Sequence, residues 1–541
     1  MDQLPPEIVA LVVSFLDEGN VGAYATVSRQ WQVAIENVTF RRLRVQSSEL
    51  ALFSERLAHP RRRATLGEIA YEVILPAYSV DRCAKFERRR EREVNNAAFN
   101  KAITELFALL KSWEEEDGGR SGQHHAVRPG GGCRGISLHL GAYALTDVAT
   151  PRPLDWYRDL GEHRYEKSVL GWVDLENVPE VRRITELHTP GSSASTRQLR
   201  AASVAQIASK LPNLAKVWWS LNDCAFSEDE IRHKYRKDFA DALLTIDNQH
   251  LTDFSLFLHL EDPQNDGFQM PSGTNPADPG VDELSIALHT LLSTSPKLLN
   301  FKLFMTLSPS IFGPDSVSSS SSSSNGPSSQ GVRWPQLRKA EIQMGRTTAA
   351  GTWLYKTPPL TDADQAAWVD RELDSDYSMS SYMTSWSSEE DVDPDDSDWA
   401  ETYHPWHDGL ITGQRPRRYF RCQVDTTVLE PFILAASRMV MEAKKGEAGM
   451  AERNVPRLEA LEIQVGEDAG GWDSDREKQI YWACFDGRVE DGGKRKVEVV
   501  TVPGNSAEPP SWNPSKQLRE LWEDWVGEDG KLDIRLSEDY Y

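Results

Sequence analysis

The chain has 541 residues, 60 of them Lys or Arg against 83 Asp or Glu, giving a formal net charge of −23. That length leaves room for three or four ordinary domains, or for fewer if part of the chain is a repeat array. The acidic balance argues against general nucleic-acid binding, which needs cationic surface to displace counterions from phosphate. The chain opens on Leu4-Pro5-Pro6-Glu7-Ile8 and an apolar run that closes at Phe15-Leu16-Asp17. Proline is tolerated in the first turn of a helix, so Pro5 and Pro6 mark a helix start. Ile8, Val9, Leu11, Val12, Val13, Phe15 and Leu16 then cover every face of that helix. A helix that is apolar all round is buried all round. A module this short cannot supply that burial from its own surface, so something outside it must cover part. The run Ile8–Phe15 is too short to span a bilayer and follows Asp2 and Glu7 rather than a basic segment. It therefore reads neither as a membrane span nor as a signal peptide.

Tyr24, Val27, Trp31 and Ile35 recur at spacings of three and four, one stripe of an amphipathic helix with Asn20 ahead of it as N-cap. Phe40-Arg41-Arg42-Leu43 follows. Through Leu4-Pro5, Glu7-Ile8, Phe15-Leu16, Tyr24-Ala25, Val27-Ser28-Arg29, Trp31 and Phe40-Arg41, residues 1–45 resemble the F-box, especially the form common in fungal proteins. The resemblance covers under a tenth of the chain. It implies a three-helix module that docks on the Skp adaptor and, through it, on the cullin of a ubiquitin ligase, while the rest of the chain presents a protein substrate. The adaptor-binding residues it implies are Leu4, Pro5, Ile8, Val12, Leu16 and Trp31, with Leu4, Pro5 and Ile8 at the contact and Trp31 shaping the module's core. Two rival readings remain: a scaffold that binds the adaptor outside a ligase, and a hydrolase with its site in the body.

Residues 46–135 read as a helical connector ending in a Gly-rich loop. Arg61-Arg62-Arg63 and the Arg/Lys/Glu-rich stretch 82–93 suggest solvated, salt-bridged helix faces, and Phe99, Ile103, Leu106, Phe107 and Leu110 form a helical stripe.

From about residue 136 a repeat emerges. Five segments share the order Pro-x-apolar-x-x-apolar: Pro179 to Ile184, Pro212 to Val217, Pro296 to Phe301, Pro335 to Ala340 and Pro456 to Leu461. A sixth, Leu251 to Phe254, lacks the proline. Alternation after such a start gives a short strand with one face buried. Amphipathic helical patterns lie between, as in Val204, Ile207, Ala208 and Leu211, or Leu284, Leu288, Leu291 and Leu292. A strand–helix unit of this size cannot bury its apolar face alone, so neighbours stack. The set looks like an irregular leucine-rich repeat, best matched at Leu458, Leu461 and Ile463, with the family's ladder asparagine at Asn222. The expected fold is therefore α/β: a three-helix F-box at 1–45, the connector at 46–135, and a leucine-rich-repeat-like solenoid over 136–541.

Two insertions interrupt that array. Residues 315–330 are a serine-rich linker, and 362–402 hold Asp391, Asp393, Asp395, Asp396 and Asp398 with few aliphatic residues. Such composition cannot offset the entropy of ordering. The second insertion reads as a solvated spacer; Ser387 and Ser388, each with an acid three residues on, offer phosphorylation sites. Val497–Val502 looks like a strand, and Trp512, Leu521, Trp522 and Trp525 are too apolar for a free tail.

Chemistry-bearing motifs are sparse. His124-His125 and His404-Pro405-Trp406-His407 lack a second ligand cluster at diagnostic spacing. Cys83, Cys133, Cys224, Cys422 and Cys484 form no CxxC pair, a pattern of reduced thiols in a cytoplasmic or nuclear protein. No catalytic residue, metal or cofactor is expected, nor a nucleic-acid or membrane partner. Substrate contact is expected on the strand face, where Trp218 or Trp219 must point away from the core and Phe257 and Phe304 hold comparable positions.

Overall fold

The computed structural model describes residues 4–16, 21–79, 82, 87–120, 135–149, 165, 168–171, 175–189, 197–223, 229–260, 263, 265–313, 334–357, 421, 423–448, 458–465, 480–486, 496–502, 514–527 and 531–536. Both insertions, Asn20, His124, His125, His404, His407, Trp512 and all the cysteines except Cys484 lie outside them. The chain is mixed α/β with a largely parallel sheet, and it divides into two compact units, Met1–Ser220 and Leu221–Tyr541.

The first unit opens with α1 (Pro6–Ser14), α2 (Val21–Tyr24) and α3 (Arg29–Thr39). The stripe from Tyr24 to Ile35 is thus two helices rather than one. The Ser28 side chain accepts from the Trp31 N–H at 3.4 Å and caps α3, and a serine there turns the chain before the helix restarts. Five parallel strands follow in chain order: β1 (Arg42–Gln46), β2 (Glu68–Leu75), β3 (Ile136–Ala144), β4 (Ile184–Thr189) and β5 (Lys216–Asn222), the division between units falling within the last. Strand β2 corrects the expectation of a helical connector over 46–135, and β1 begins inside the segment 1–45 expected to hold helices alone. Between them lie α4 (Leu50–Arg56) and α5 (Pro60–Thr65), and after β2 comes the long α6 (Arg89–Arg120). Buried and half-exposed residues alternate along β2 and β3. The buried face of β2 packs on α6, where Tyr71 donates its hydroxyl to the Ala102 carbonyl at 3.0 Å. Phe99, Ile103, Leu106, Phe107 and Leu110 are all buried, each worth roughly 1.5–3 kcal/mol. The exposed side of α6 is salt-bridged as expected, with Arg89 and Glu93 3.1 Å apart. Two short helices, α7 (Leu145–Ala149) and α8 (Ala201–Ala208), complete the unit.

One local rule recurs at the strand entries. Leu214 and Leu298 donate their N–H groups to the carbonyls of Leu211 and Ser295, closing turns across Pro212 and Pro296. Proline pre-sets the backbone angle of a turn's second position. Leu66 and Leu251 close the same turn on Arg63 and Asn248 without proline. The two residues after the entry leucine then donate both N–H groups to one carbonyl of the preceding strand's entry. Gly67 and Glu68 bond Arg41, Leu299 and Asn300 bond Thr252, Arg338 and Lys339 bond Leu299, and Glu459 and Ala460 bond Arg338. That pairing is why two residues separate the first apolar position from the strand's first buried one.

In the second unit β6 (Asp253–His259), β7 (Asn300–Phe304), β8 (Lys339–Met344) and β11 (Ala460–Val465) run parallel. All six segments singled out by the repeat pattern are therefore strands. Beyond β11 the simple array ends: β12 (Ile480–Asp486) is antiparallel to β11, β13 (Lys496–Val502) antiparallel to β12, and β14 (Lys531–Leu536) parallel to β13. A separate antiparallel pair joins β9 (Tyr355–Lys356) to β10 (Gln423–Val424). The helices are α9 (Asp229–Leu243), α10 (Glu283–Thr294), α11 (Thr426–Ala448) and α12 (Lys516–Val526). Trp522 and Trp525 of α12 are buried against Phe485, at ring distances of 6.3 and 6.0 Å. The Trp522 indole donates to the Ser437 hydroxyl on α11 at 2.9 Å, so the C-terminal aromatics do pack back on the body.

Candidate functional site

The three N-terminal helices bury one small cluster: Val9 and Val13 of α1, Val21 of α2, and Trp31, Ala34 and Ile35 of α3, with Leu16 and Ala25 packed against it. Only two residues of α1 point inward. Leu4, Ile8, Leu11, Val12 and Phe15 remain exposed, Leu11 at 54% and Phe15 at 82%. Tyr24 and Val27 extend the exposed apolar set. Pro5 is exposed at the N-cap of α1, its carbonyl accepting from Ile8 and Val9 at 3.0 and 3.2 Å. The expectation that something beyond the module must cover α1 therefore meets an open apolar face. Among the six residues assigned to adaptor docking, Leu4, Pro5, Ile8 and Val12 lie on that face, and Leu16 is half-buried. Trp31 is not a surface residue: it is core, with its ring 6.1 Å from Tyr24. Leu11 and Phe15 belong to the face and were missed, although the all-round apolar pattern of α1 already contained them.

A buried carboxylate ties α3 to α5. Glu36 of α3 is 6% exposed and accepts from Arg61 and, at 2.9 and 3.2 Å, from Arg62, both on α5, and from Gln32 at 3.1 Å. Burial alone would push this carboxyl up, but the bonds from Arg61, Arg62 and Gln32 outweigh it and hold it below the ordinary glutamate range. The Arg62 guanidinium also sits 5.0 Å from the Phe40 ring centroid. The chain enters β1 directly through Phe40 and Arg41, whose carbonyl bonds the entry of β2. Helix α3 and the first strands thus share covalent, ionic and ladder connections.

On the strand face the alternation decides the aromatic question. Trp218 is 41% exposed and Trp219 is fully buried. Phe257 and Phe304 are half-buried neighbours at 6.3 Å, with His259 5.5 Å from Phe304. Two buried polar clusters among the described residues hold structure. Glu87, with no exposed side-chain surface, accepts from Arg197 at 2.7 Å and from Ser168, and the Arg197 guanidinium lies 3.7 Å from the Tyr165 ring. In the second unit Arg232 and Arg236 share Asp223 at 3.0 and 2.9 Å, and Arg236 also reaches Asp282 at 3.2 Å, all four residues buried. Gly273 lies so close to this network that a Cβ there would meet Arg236 Cδ at 2.4 Å. Among the described residues no group of three or more His, Cys, Asp or Glu is placed to hold a metal ion, and no helix is long and apolar enough to cross a membrane. The chain matches no known family model and no curated protein.

Proposed function

We propose that this chain is the substrate-receptor subunit of a Skp–cullin–F-box ubiquitin ligase, acting in the cytoplasm or nucleus. In this reading residues 1–45 are the F-box, and the strand–helix units behind them form an irregular leucine-rich-repeat-like array that binds a protein substrate. One observation carries the reading: the open apolar face of Leu4, Ile8, Leu11, Val12 and Phe15, on a helix whose sequence resembles that of an adaptor-docking module. Covering such side chains is worth roughly 1.5–3 kcal/mol each before the costs of association. No catalytic group is required of this chain, because a receptor acts by bringing substrate close to a charged ubiquitin enzyme.

The test is a pull-down of the wild-type chain beside Leu4→Ala/Pro5→Ala/Ile8→Ala, blotted for the Skp adaptor and the cullin. All three residues are exposed, so the variant keeps its fold, checked by an unchanged melting temperature. Recovery of adaptor and cullin, lost in the variant, is the expected result. Adaptor without cullin would replace the ligase by the scaffold reading, and recovery of neither would remove the docking function.

A further inference from the structure

The register of the first unit lines up its half-exposed residues in rows across the strands. One row is Arg42, Glu68, Ser137, Glu186 and Lys216, and the next is Arg44, Ala70, His139, His188 and Trp218. In the second row the two imidazoles stack, with centroids 4.4 Å apart and planes within 9°, and Trp218 lies 6.3 Å from His188. The small Ala70 beside His139 leaves the ledge open toward Arg44.

We infer that this ledge of His139, His188 and Trp218, edged by Glu68 and Glu186, binds an arginine side chain presented by a protein partner. Each carboxylate divides its oxygens. Glu68 gives one to Arg42 at 3.0 Å and turns the other toward His139 Nε2 at 3.8 Å. Glu186 gives one to Lys216 at 3.0 Å and turns the other toward His188 Nε2 at 3.6 Å. The second distances are too long for hydrogen bonds. His188 Nε2 is buried with no hydrogen-bond partner among the described residues. The pairing cations Arg42 and Lys216 stand at the exposed rims, where solvent screens them. The inner oxygens of Glu68 and Glu186 thus face the two imidazoles without a hydrogen bond from them and stay open to a cation arriving from outside.

Geometry selects the kind of cation. Glu68 and Glu186 lie on strands two apart, a backbone separation of about 10 Å at the usual strand spacing of about 4.8 Å. A guanidinium placed over Ser137 has donors on both edges to reach toward the two carboxylates, whereas a lysine ammonium is a point charge. Its flat face matches the imidazole stack and the exposed indole, which adds cation–π attraction. The local charges favour the same occupant. Burial and the neighbouring His139 pull His188 down, against the pull of Glu186, so the ring is neutral at pH 7. Burial pushes the Glu186 carboxyl up, but Lys216 and His188 outweigh it and keep it ionised. Arg42, Arg44 and Lys216, the cations an acidic segment would seek, are already paired with Glu68, Glu72 and Glu186.

That this arginine belongs to a ubiquitination substrate rests on the receptor reading; the binding itself does not. The test is selection of a phage-displayed random dodecapeptide library on the full chain, counter-selected on a Glu68→Gln/Glu186→Gln variant of equal melting temperature. Enriched peptides are expected to share one arginine. Its replacement by lysine should weaken binding about tenfold or more in fluorescence anisotropy, and Trp218→Ala should do the same. Binding should persist in the Leu4→Ala/Pro5→Ala/Ile8→Ala chain, which separates this site from adaptor docking. No enrichment, enrichment of acidic or arginine-free peptides, or equal binding of the lysine peptide would overturn the inference.

Discussion

The two units follow one strand-entry rule but differ in net charge and in how many charged groups they bury together. Residues 1–220 hold 29 of the 60 Lys and Arg and 27 of the 83 Asp and Glu, so they are near neutral. The whole acidic excess falls in 221–541. Yet Leu66 in the first unit and Leu298 in the second enter their strands by the same turn and the same paired backbone bonds. Strand register is set by backbone donors and buried apolar side chains, neither of which responds to net charge. Charge instead decides what is pinned to the strands. In the second unit two arginines and two aspartates are buried together. In the first, one pair, Glu87 and Arg197, is buried, while the linkage from α3 to α5 keeps Arg61 and Arg62 partly solvated around Glu36.

Breaking the buried network should produce the largest effect. Arg236→Ala removes a cation that neutralises both Asp223 and Asp282, leaving buried carboxylate charge behind; the expected cost is about 3–5 kcal/mol, read by denaturant unfolding. A loss under 1 kcal/mol would show that the second unit tolerates this charge and would erase the contrast.

The linkage at Glu36 should matter less. Glu36→Gln is expected to cost about 1–2 kcal/mol at pH 7 and to speed amide exchange in α1–α3 ahead of β2 and β3. Its pH dependence has a definite sign. The folded carboxyl titrates lower than the unfolded one, so its stabilisation is present above the ordinary glutamate pKa and fades as pH falls through the lowered value. The difference between wild type and Glu36→Gln should accordingly shrink below about pH 4.5, the ordinary value from which Glu36 is lowered. A gap that stays constant down to pH 3 would mean that packing, not charge, joins α3 to α5.

The smallest stability effect belongs to the open helical face. Phe15→Ser should change stability by no more than about 0.5 kcal/mol, because the side chain is 82% exposed, while it abolishes adaptor capture. Destabilisation by 2 kcal/mol or more would place Phe15 in a core and contradict the open face.

Much of the strand pattern was legible before the structure. The six segments from Val181 to Leu461 lead into strands because a leucine or valine, buried in all but Leu458, two spacers and a second buried residue encode a turn and a paired entry. The entry of β2 has that spacing too, in Leu66 and Ile69, but no proline, and a rule that leaned on proline passed over it. Proline only pre-sets a turn that Arg63 and Leu66 close without it. The split between α2 and α3 was also present in Ser28, whose capping role is hidden when apolar spacing alone is followed.

By itself, the sequence determined the strands that follow the six repeat entries, the helical stripe of α6, and that α1 carries more apolar surface than three short helices can bury. Those properties are local, set by backbone geometry, side-chain period and turn residues. Only the tertiary structure decided which residues stay uncovered: Trp218 outward and Trp219 inward, and Phe15 exposed. It alone brought Glu36 to Arg61 and Arg62, and His139 to His188 across 49 positions of chain. Such pairs depend on how neighbouring strands and helices stack, and stacking maximises buried apolar area over the whole unit. No periodicity within a single segment records that outcome.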